Sequence, residues 1–186
     1  MPQLILGIVG DIAAGKGILS KYLCEKHQAT SYRFSTVLRD IAKRLGKEES
    51  RENLQKISQG LREYLGQDIL SQVLAHDIAH DQNRLVIIEG IRRVSDMVCL
   101  QDLSGFHTVY LTADPEIRWR RLVERNENPG DANKTFEDFT RDEETEVDQN
   151  TKIVGREAEF VIVNNGSTEE LYDQIEKVLK KLSDIS

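Results

Sequence analysis

Gly10-Asp11-Ile12-Ala13-Ala14-Gly15-Lys16-Gly17 is the stretch whose reading decides the fold. It carries the Walker spacing, a glycine, four residues, then Gly-Lys, directly after the apolar run Leu4 to Val9 and just before a helical pattern that begins near Gly17. Glycines let such a loop turn tightly, so that successive backbone N–H groups face one anion while the lysine reaches its outer oxygens. A helix that starts at once adds unpaired N-terminal amides and the positive end of its dipole. A short glycine-bearing loop can also be a plain strand-to-helix turn. Here strand, loop, lysine and helix stand in the order that a nucleotide-phosphate cradle requires, and residues 10–18, through Ile18, are its candidate residues.

One position departs from the pattern. The residue after the lysine is ordinarily Ser or Thr, whose hydroxyl touches magnesium; this chain has Gly17, then Ile18, and its first downstream hydroxyl is Ser20. The metal shell is thereby left to water, phosphate oxygens and a carboxylate elsewhere.

The 186 residues suit one domain, and 39% hydrophobic content suffices for a sizeable core. Twenty-five Lys and Arg against 32 Asp and Glu give a net charge of -7, the wrong sign for a broad basic face that binds nucleic acid. Cys24 and Cys99 form no Cys-x-x-Cys unit, which argues against a disulfide framework or zinc knuckle and for a reducing compartment. The N-terminal apolar run is too short for a signal peptide core or a spanning helix, so the expectation is a soluble, cytoplasmic protein without a membrane partner.

Five runs read as strands: Leu4 to Val9, Ser31 to Phe34, Leu85 to Ile88, Thr108 to Leu111 and Phe160 to Val163. Near-continuous apolar strands alternating with amphipathic helices predict an α/β fold, a five-stranded parallel sheet with helices on both faces and ligands at the carboxyl edge. The core is expected over 1–35, 84–120 and 156–186. Residues 36–83 form an all-helical insertion, larger than a plain crossover needs, and are read as an acceptor-binding subdomain or a small helical cap. A short helix is expected over Val94 to Leu100, and Asp114-Pro115 reads as a capped helix start. Along that helix Arg118, Arg121 and Arg125 share one face. Asn126 to Asn133 reads as a mobile loop, and Thr135 opens a charged helix holding Arg141, Asp142, Glu143 and Glu144. These acids either pair with the arginines on the surface, or residues 121–150 form a short lid whose arginines close over phosphates. His76 and His80 resemble a zinc pair only superficially; a solvated helix end explains both. Ser167 with Glu170 forms a capping box for the last helix.

With these motifs in hand, the chain resembles the nucleoside-monophosphate-kinase group of P-loop NTPase proteins. It looks most like the archaeal adenylate-kinase-like family, and is also similar to phage deoxynucleoside monophosphate kinases and dephospho-coenzyme A kinases. The resemblance rests on residues 10–17, on Phe34-Ser35-Thr36-Val37-Leu38-Arg39, on Gly60-Leu61-Arg62, on Glu89-Gly90-Ile91-Arg92, on Ile117 to Arg125 with Arg141-Asp142-Glu143-Glu144, and on Val161 to Gly166. It implies ATP as phosphoryl donor, Mg²⁺, and a nucleotide acceptor. Lys16 would hold the donor phosphates, and Asn164 would border the donor base. Arg39, Arg62 and Arg92 would fork onto the acceptor phosphate, while Arg121, Arg125 and Arg141 would close over the transferring group. Glu89, where the family usually has Asp, would orient hydrated Mg²⁺. A larger acceptor of the dephospho-coenzyme A kind, or a regulatory nucleotide-binding protein with little turnover, are the other readings; the resemblance does not fix oligomeric state.

Overall fold

The structure is a computed structural model that describes residues 2–126, 130–144 and 146–184, with the backbone alone for 146–149. Five strands, β1 (Leu4–Gly10), β2 (Thr30–Arg33), β3 (Leu85–Glu89), β4 (Phe106–Thr112) and β5 (Phe160–Val163), lie in the order β2-β3-β1-β4-β5. Every pairing is parallel, as the apolar runs predict. The sheet closes on both faces because its central strands carry apolar side chains towards each of them. Leu6, Ile8, Ile87 and Val109 point to the face covered by α1 (Lys16–His27) and α8 (Thr168–Ser183), whereas Ile5, Val9, Val86 and Ile88 point to the opposite core.

Between β2 and β3 stand α2 (Phe34–Arg44), α3 (Arg51–Leu65) and α4 (Ile69–Ala79). Leu70, Leu74 and Ile78 of α4 and Leu38 of α2 are buried in that second core. After β4 come α5 (Pro115–Arg125), α6 (Phe136–Asp142) and α7 (Glu146–Arg156), and Val154 of α7 also packs into the second core. Among the described residues no helix is long and apolar enough to cross a membrane.

Four local readings are corrected. Phe34, read as the end of a strand, is the first residue of α2, its ring buried. Val94–Asp96 is a single 3₁₀ turn and no helix reaches Leu100; the Asp96 carboxylate closes the start of the turn by accepting from the backbone amides of Arg92 and Arg93 at 2.9 and 3.1 Å. Asp114 caps α5 without a side-chain hydrogen bond; its amide donates to Asn165 Oδ1 instead. Of the loop expected over Asn126 to Asn133, residues 127–129 lie outside the described residues, and Asp131–Asn133 forms a 3₁₀ turn with Asp131 buried. The caps at Thr135 and Ser167 form as read. His80 Nδ1 lies 2.8 Å from the carbonyl of His76, a local helix-end contact.

The α1–α8 seam sets an acid limit on stability. Glu176 lies within 2.7 Å of Tyr22 Oη and His27 Nε2 and 3.0 Å from Lys26 Nζ. Burial works to raise its carboxyl, but the hydrogen bonds from Tyr22, His27 and Lys26 outweigh it and hold the pKa at about 2. A carboxylate depressed in the folded state contributes stability above its unfolded value and loses it as pH falls towards the folded value. The contribution is complete above pH ~4.5 and lost towards pH ~2. Urea midpoints measured across that range should fall steeply for the natural chain and less steeply for Glu176→Gln; parallel curves would reject the linkage.

Candidate active site at the carboxyl edge of the sheet

The loop after β1 is held in one shape from three sides. Gly15 has φ +106°, a left-handed conformation that side chains disfavour, and a Cβ there would fall 2.6 Å from Asn164 Nδ2. That amide donates to the carbonyl of Ala14 at 2.8 Å, so buried Asn164 braces the loop from the end of β5. Ala13, with φ +56°, also adopts the left-handed region without being glycine, backbone strain of the sort that gathers at binding loops. Lys16 Nζ donates to the carbonyls of Gly10 and Asp11, both at 2.7 Å, folding the ammonium back over the loop. Ile12 and Ile18 are exposed beside it, Ala14 is fully buried, and the position of a Cβ on Gly17 is open space.

The Asp11 side chain points the other way. Its carboxylate is buried and accepts from Tyr110 Oη and Thr112 Oγ1, each at 2.6 Å, so within the cradle Asp11 contributes backbone while its carboxylate pins the loop to β4.

The sequence-selected arginines separate into distinct environments. Arg121 donates to the carbonyl of Asn164 at 2.9 Å and approaches that of Gly166 at 3.4 Å, which places it at the turn that braces the loop. Arg125 is exposed one helical turn further on, and Arg141 is exposed and bonded to Asp138 of its own helix. Arg39 is exposed on α2 and pairs with Glu49 at 3.0 Å. Arg92 is exposed just beyond β3.

Arg62 is different. It is buried, its guanidinium donates to Asp96 Oδ1 at 2.5 Å and to the Gln67 carbonyl, and the same carboxylate holds the amides of Arg92 and Arg93. In this structure the Arg62 charge, expected to fork onto an acceptor phosphate, is met by Asp96, which also holds the backbone that precedes Val94.

Residues 6–147 match the family model described as an AAA domain. The chain belongs to the AAA domain family. This AAA domain is similar over nearly its whole length to the UPF0200 protein of Hyperthermus butylicus, with 28% identity across 97% of this chain and 96% of that one. Among solved structures, TT1252 from Thermus thermophilus covers 98% of this chain and 99% of its own at TM-score 0.65 and 17% identity. The shikimate kinase from Bacteroides thetaiotaomicron covers 97% and 98% at TM-score 0.63 and 16% identity. At such identities the likeness is one of fold, and the fold is that of a kinase-like P-loop domain.

The carboxylate end of β3 supplies the AAA domain's candidate for holding a cation. Glu89 lies beside Ile8 of β1 and Arg33 of β2 in the sheet register. Its Oε1 accepts from Ser31 Oγ at 2.9 Å and from Arg33 Nε and NH2 at 3.0 and 2.9 Å, while Oε2 takes no hydrogen bond among the described residues. Burial raises the Cys24 thiol, Glu89 adds to the rise and Arg33 opposes it, which sets both charges against α1. Among the described residues no group of three His, Cys, Asp or Glu could hold a metal ion. One open carboxylate oxygen beside a phosphate cradle fits magnesium, which keeps most of its water and takes one or two protein oxygens. Arg33 was not singled out from the sequence. The signal for it was an arginine closing β2 in register with an acid closing β3, which becomes readable once the strand order is known.

Proposed function

We propose that this AAA domain is a phosphotransferase that moves the γ-phosphoryl group of ATP to a nucleoside or deoxynucleoside monophosphate, as its resemblance to archaeal adenylate-kinase-like proteins implies. The observation that carries the reading is Lys16 folded over a braced loop, with Arg121 tied to one flank of that loop and Arg39 and Arg92 exposed on the elements that follow β2 and β3. Phosphoryl transfer asks a protein for positioning and charge neutralisation more than for covalent chemistry. Lys16 and the amides of residues 10–18 hold the β- and γ-phosphates, and the Asn164 turn borders the base. Arg39 and Arg92 take the acceptor phosphate, to which a planar guanidinium bonds in two places. An acceptor phosphate oxygen bonds to the γ-phosphorus as the bridge to the β-phosphate breaks, so that the products are ADP and a diphosphate. Arg121, Arg125 and Arg141, on the 121–150 lid, neutralise the charge that develops there. Glu89 Oε2 would hold the water shell of a magnesium ion, which would supply further neutralisation of phosphate charge.

The acceptor-binding insertion 36–83 and the lid are parts of this proposal, as are the small-molecule acceptor and a cytoplasmic setting. A coupled assay over ribo- and deoxyribonucleoside monophosphates, dephospho-coenzyme A and shikimate tests it. ADP formation that saturates with a monophosphate supports the reading, and ADP formation only with one of the others reassigns the acceptor. The missing hydroxyl at Gly17 and the Arg33 guanidinium on Glu89 favour a second reading, a nucleotide-binding regulator. Tight ATP binding with no transfer to any acceptor would establish that one instead.

Arg92→Ala should raise the acceptor KM about tenfold, the worth of one charge-assisted phosphate contact, and leave the ATP KM within about twofold. Equal effects on both substrates would reject separate sites. Gly17→Ser places a hydroxyl where the loop has open space and should raise kcat several-fold, with a lower magnesium requirement. An unchanged magnesium titration would show that the absent hydroxyl does not limit the reaction.

A further inference from the structure

Behind the phosphate loop, on the face of the sheet where α7 packs, lies a pocket of about 360 Å³ lined by Tyr110, Lys152, Gly155, Arg156 and Val161. Tyr110 and Val161 stand side by side in the parallel register of β4 and β5, so both project from the same face. Val161 is 58% exposed, although it lies in the middle of a strand. The floor is therefore apolar and open. Lys152 and Arg156 lie four residues apart on α7 and so on one side of the helix. Neither takes a hydrogen bond or an ion pair among the described residues, in a chain whose net charge is -7. Two cations with no partner among the described residues, set above an apolar floor, form a complementary surface for an anion with an apolar body. The volume is in the range of small-molecule sites, too small for a polymer to be its main occupant.

The pocket is also wired to the phosphate loop. Tyr110 Oη donates to Asp11 Oδ1 at 2.6 Å, and the Asp11 carbonyl accepts from Lys16 Nζ at 2.7 Å. On its other side the Tyr110 ring lies flat against the backbone of α7, where a Cβ on Gly155 would fall 2.5 Å from the ring carbons. A ring confined in this way cannot yield to a ligand without moving its hydroxyl, and that hydroxyl holds the loop.

We propose that the pocket between α7 and β5 binds a small organic anion, a carboxylate, sulfonate or phosphate ester on a flat apolar body, with Lys152 and Arg156 on the acid group and Tyr110 and Val161 under the body. Its occupancy is transmitted through Tyr110 and Asp11 to the affinity of the phosphate loop. The site stands on its own residues, whether or not the protein transfers phosphoryl groups.

The test uses anilinonaphthalene sulfonate as the probe, titrated by fluorescence and by calorimetry into the full chain, with and without saturating ATP. One saturable site is expected, retained when ATP is bound. In the Lys152→Glu/Arg156→Glu double variant, checked for an unchanged melting temperature, probe affinity should fall at least about tenfold, since contacts to a charged group are lost on both side chains, while ATP affinity without probe stays within about twofold. Probe should change the ATP dissociation constant of the natural chain at least about twofold, and Tyr110→Phe should abolish that coupling while still binding probe. No saturable binding, equal binding by the double variant, or one-for-one displacement by ATP would overturn the site. Unaltered coupling in Tyr110→Phe would overturn the route.

Discussion

Lys16→Ala is expected to lower kcat by about a thousandfold, at the upper end of what removing one donor to a transition-state charge costs. ATP binding should weaken about ten- to hundredfold, the worth of charge-assisted contacts to phosphate. The two effects differ because the ammonium meets the donor phosphates in both states but meets more charge as transfer proceeds. Without ligand the same ammonium sits on the carbonyls of Gly10 and Asp11, so binding exchanges two carbonyl contacts for phosphate oxygens and the net gain is below the gross one. Stability should change little, since the loop is braced independently by Asn164, Tyr110 and Thr112. Lys16→Arg should rescue neither effect, because a planar fork cannot occupy the point that a compact ammonium reaches. ATP dissociation constants by calorimetry and steady-state rates check both halves. An unchanged ATP affinity in Lys16→Ala would remove the phosphate cradle on which the functional reading depends.

The parts of the molecule that were legible in sequence are those fixed by short-range rules. The apolar strands, the Walker spacing and the caps at Thr135 and Ser167 depend on neighbours within a few residues, and the chain folds there as its pattern predicts. The misread segments are those where a distant side chain takes over a backbone group. Val94 to Leu100 has helical spacing, yet the regular turn stops at Asp96, whose carboxylate is held by Arg62 from 34 residues away. Arg118, Arg121 and Arg125 share a helical face by period, and the period is right. What it cannot say is that the first is buried against an acid 25 residues later while the second reaches the β5 turn. Which arginine serves structure and which faces a ligand is decided by partners that spacing does not encode.

Arg118 makes the second large prediction. Its guanidinium is buried, grips Glu143 through two nitrogens at 2.5 and 3.1 Å, donates Nε to the Ala113 carbonyl at 2.8 Å and lies 3.9 Å from Asp11 Oδ2. Phe139 covers it, the ring centroid 5.4 Å from the guanidinium carbon. Arg118→Met should cost about 3–5 kcal/mol, because it takes from the buried Glu143 and Asp11 charges the cation that faces them both rather than because the pair itself is strongly stabilising. Glu143→Leu should cost a similar amount for the mirror reason. The double variant should then be more stable than either single one, since two apolar groups of similar volume remove both desolvation costs at once. Urea unfolding of the four proteins measures the coupling, and strictly additive losses would reject it. The same pair joins α5 to the residue that ends α6, so it also anchors the segment proposed as a lid. In the double variant, where stability is recovered but the directional grip is not, kcat should fall while ATP affinity holds. That result would separate what Arg118 does for folding from what it does for closure, which neither single variant can.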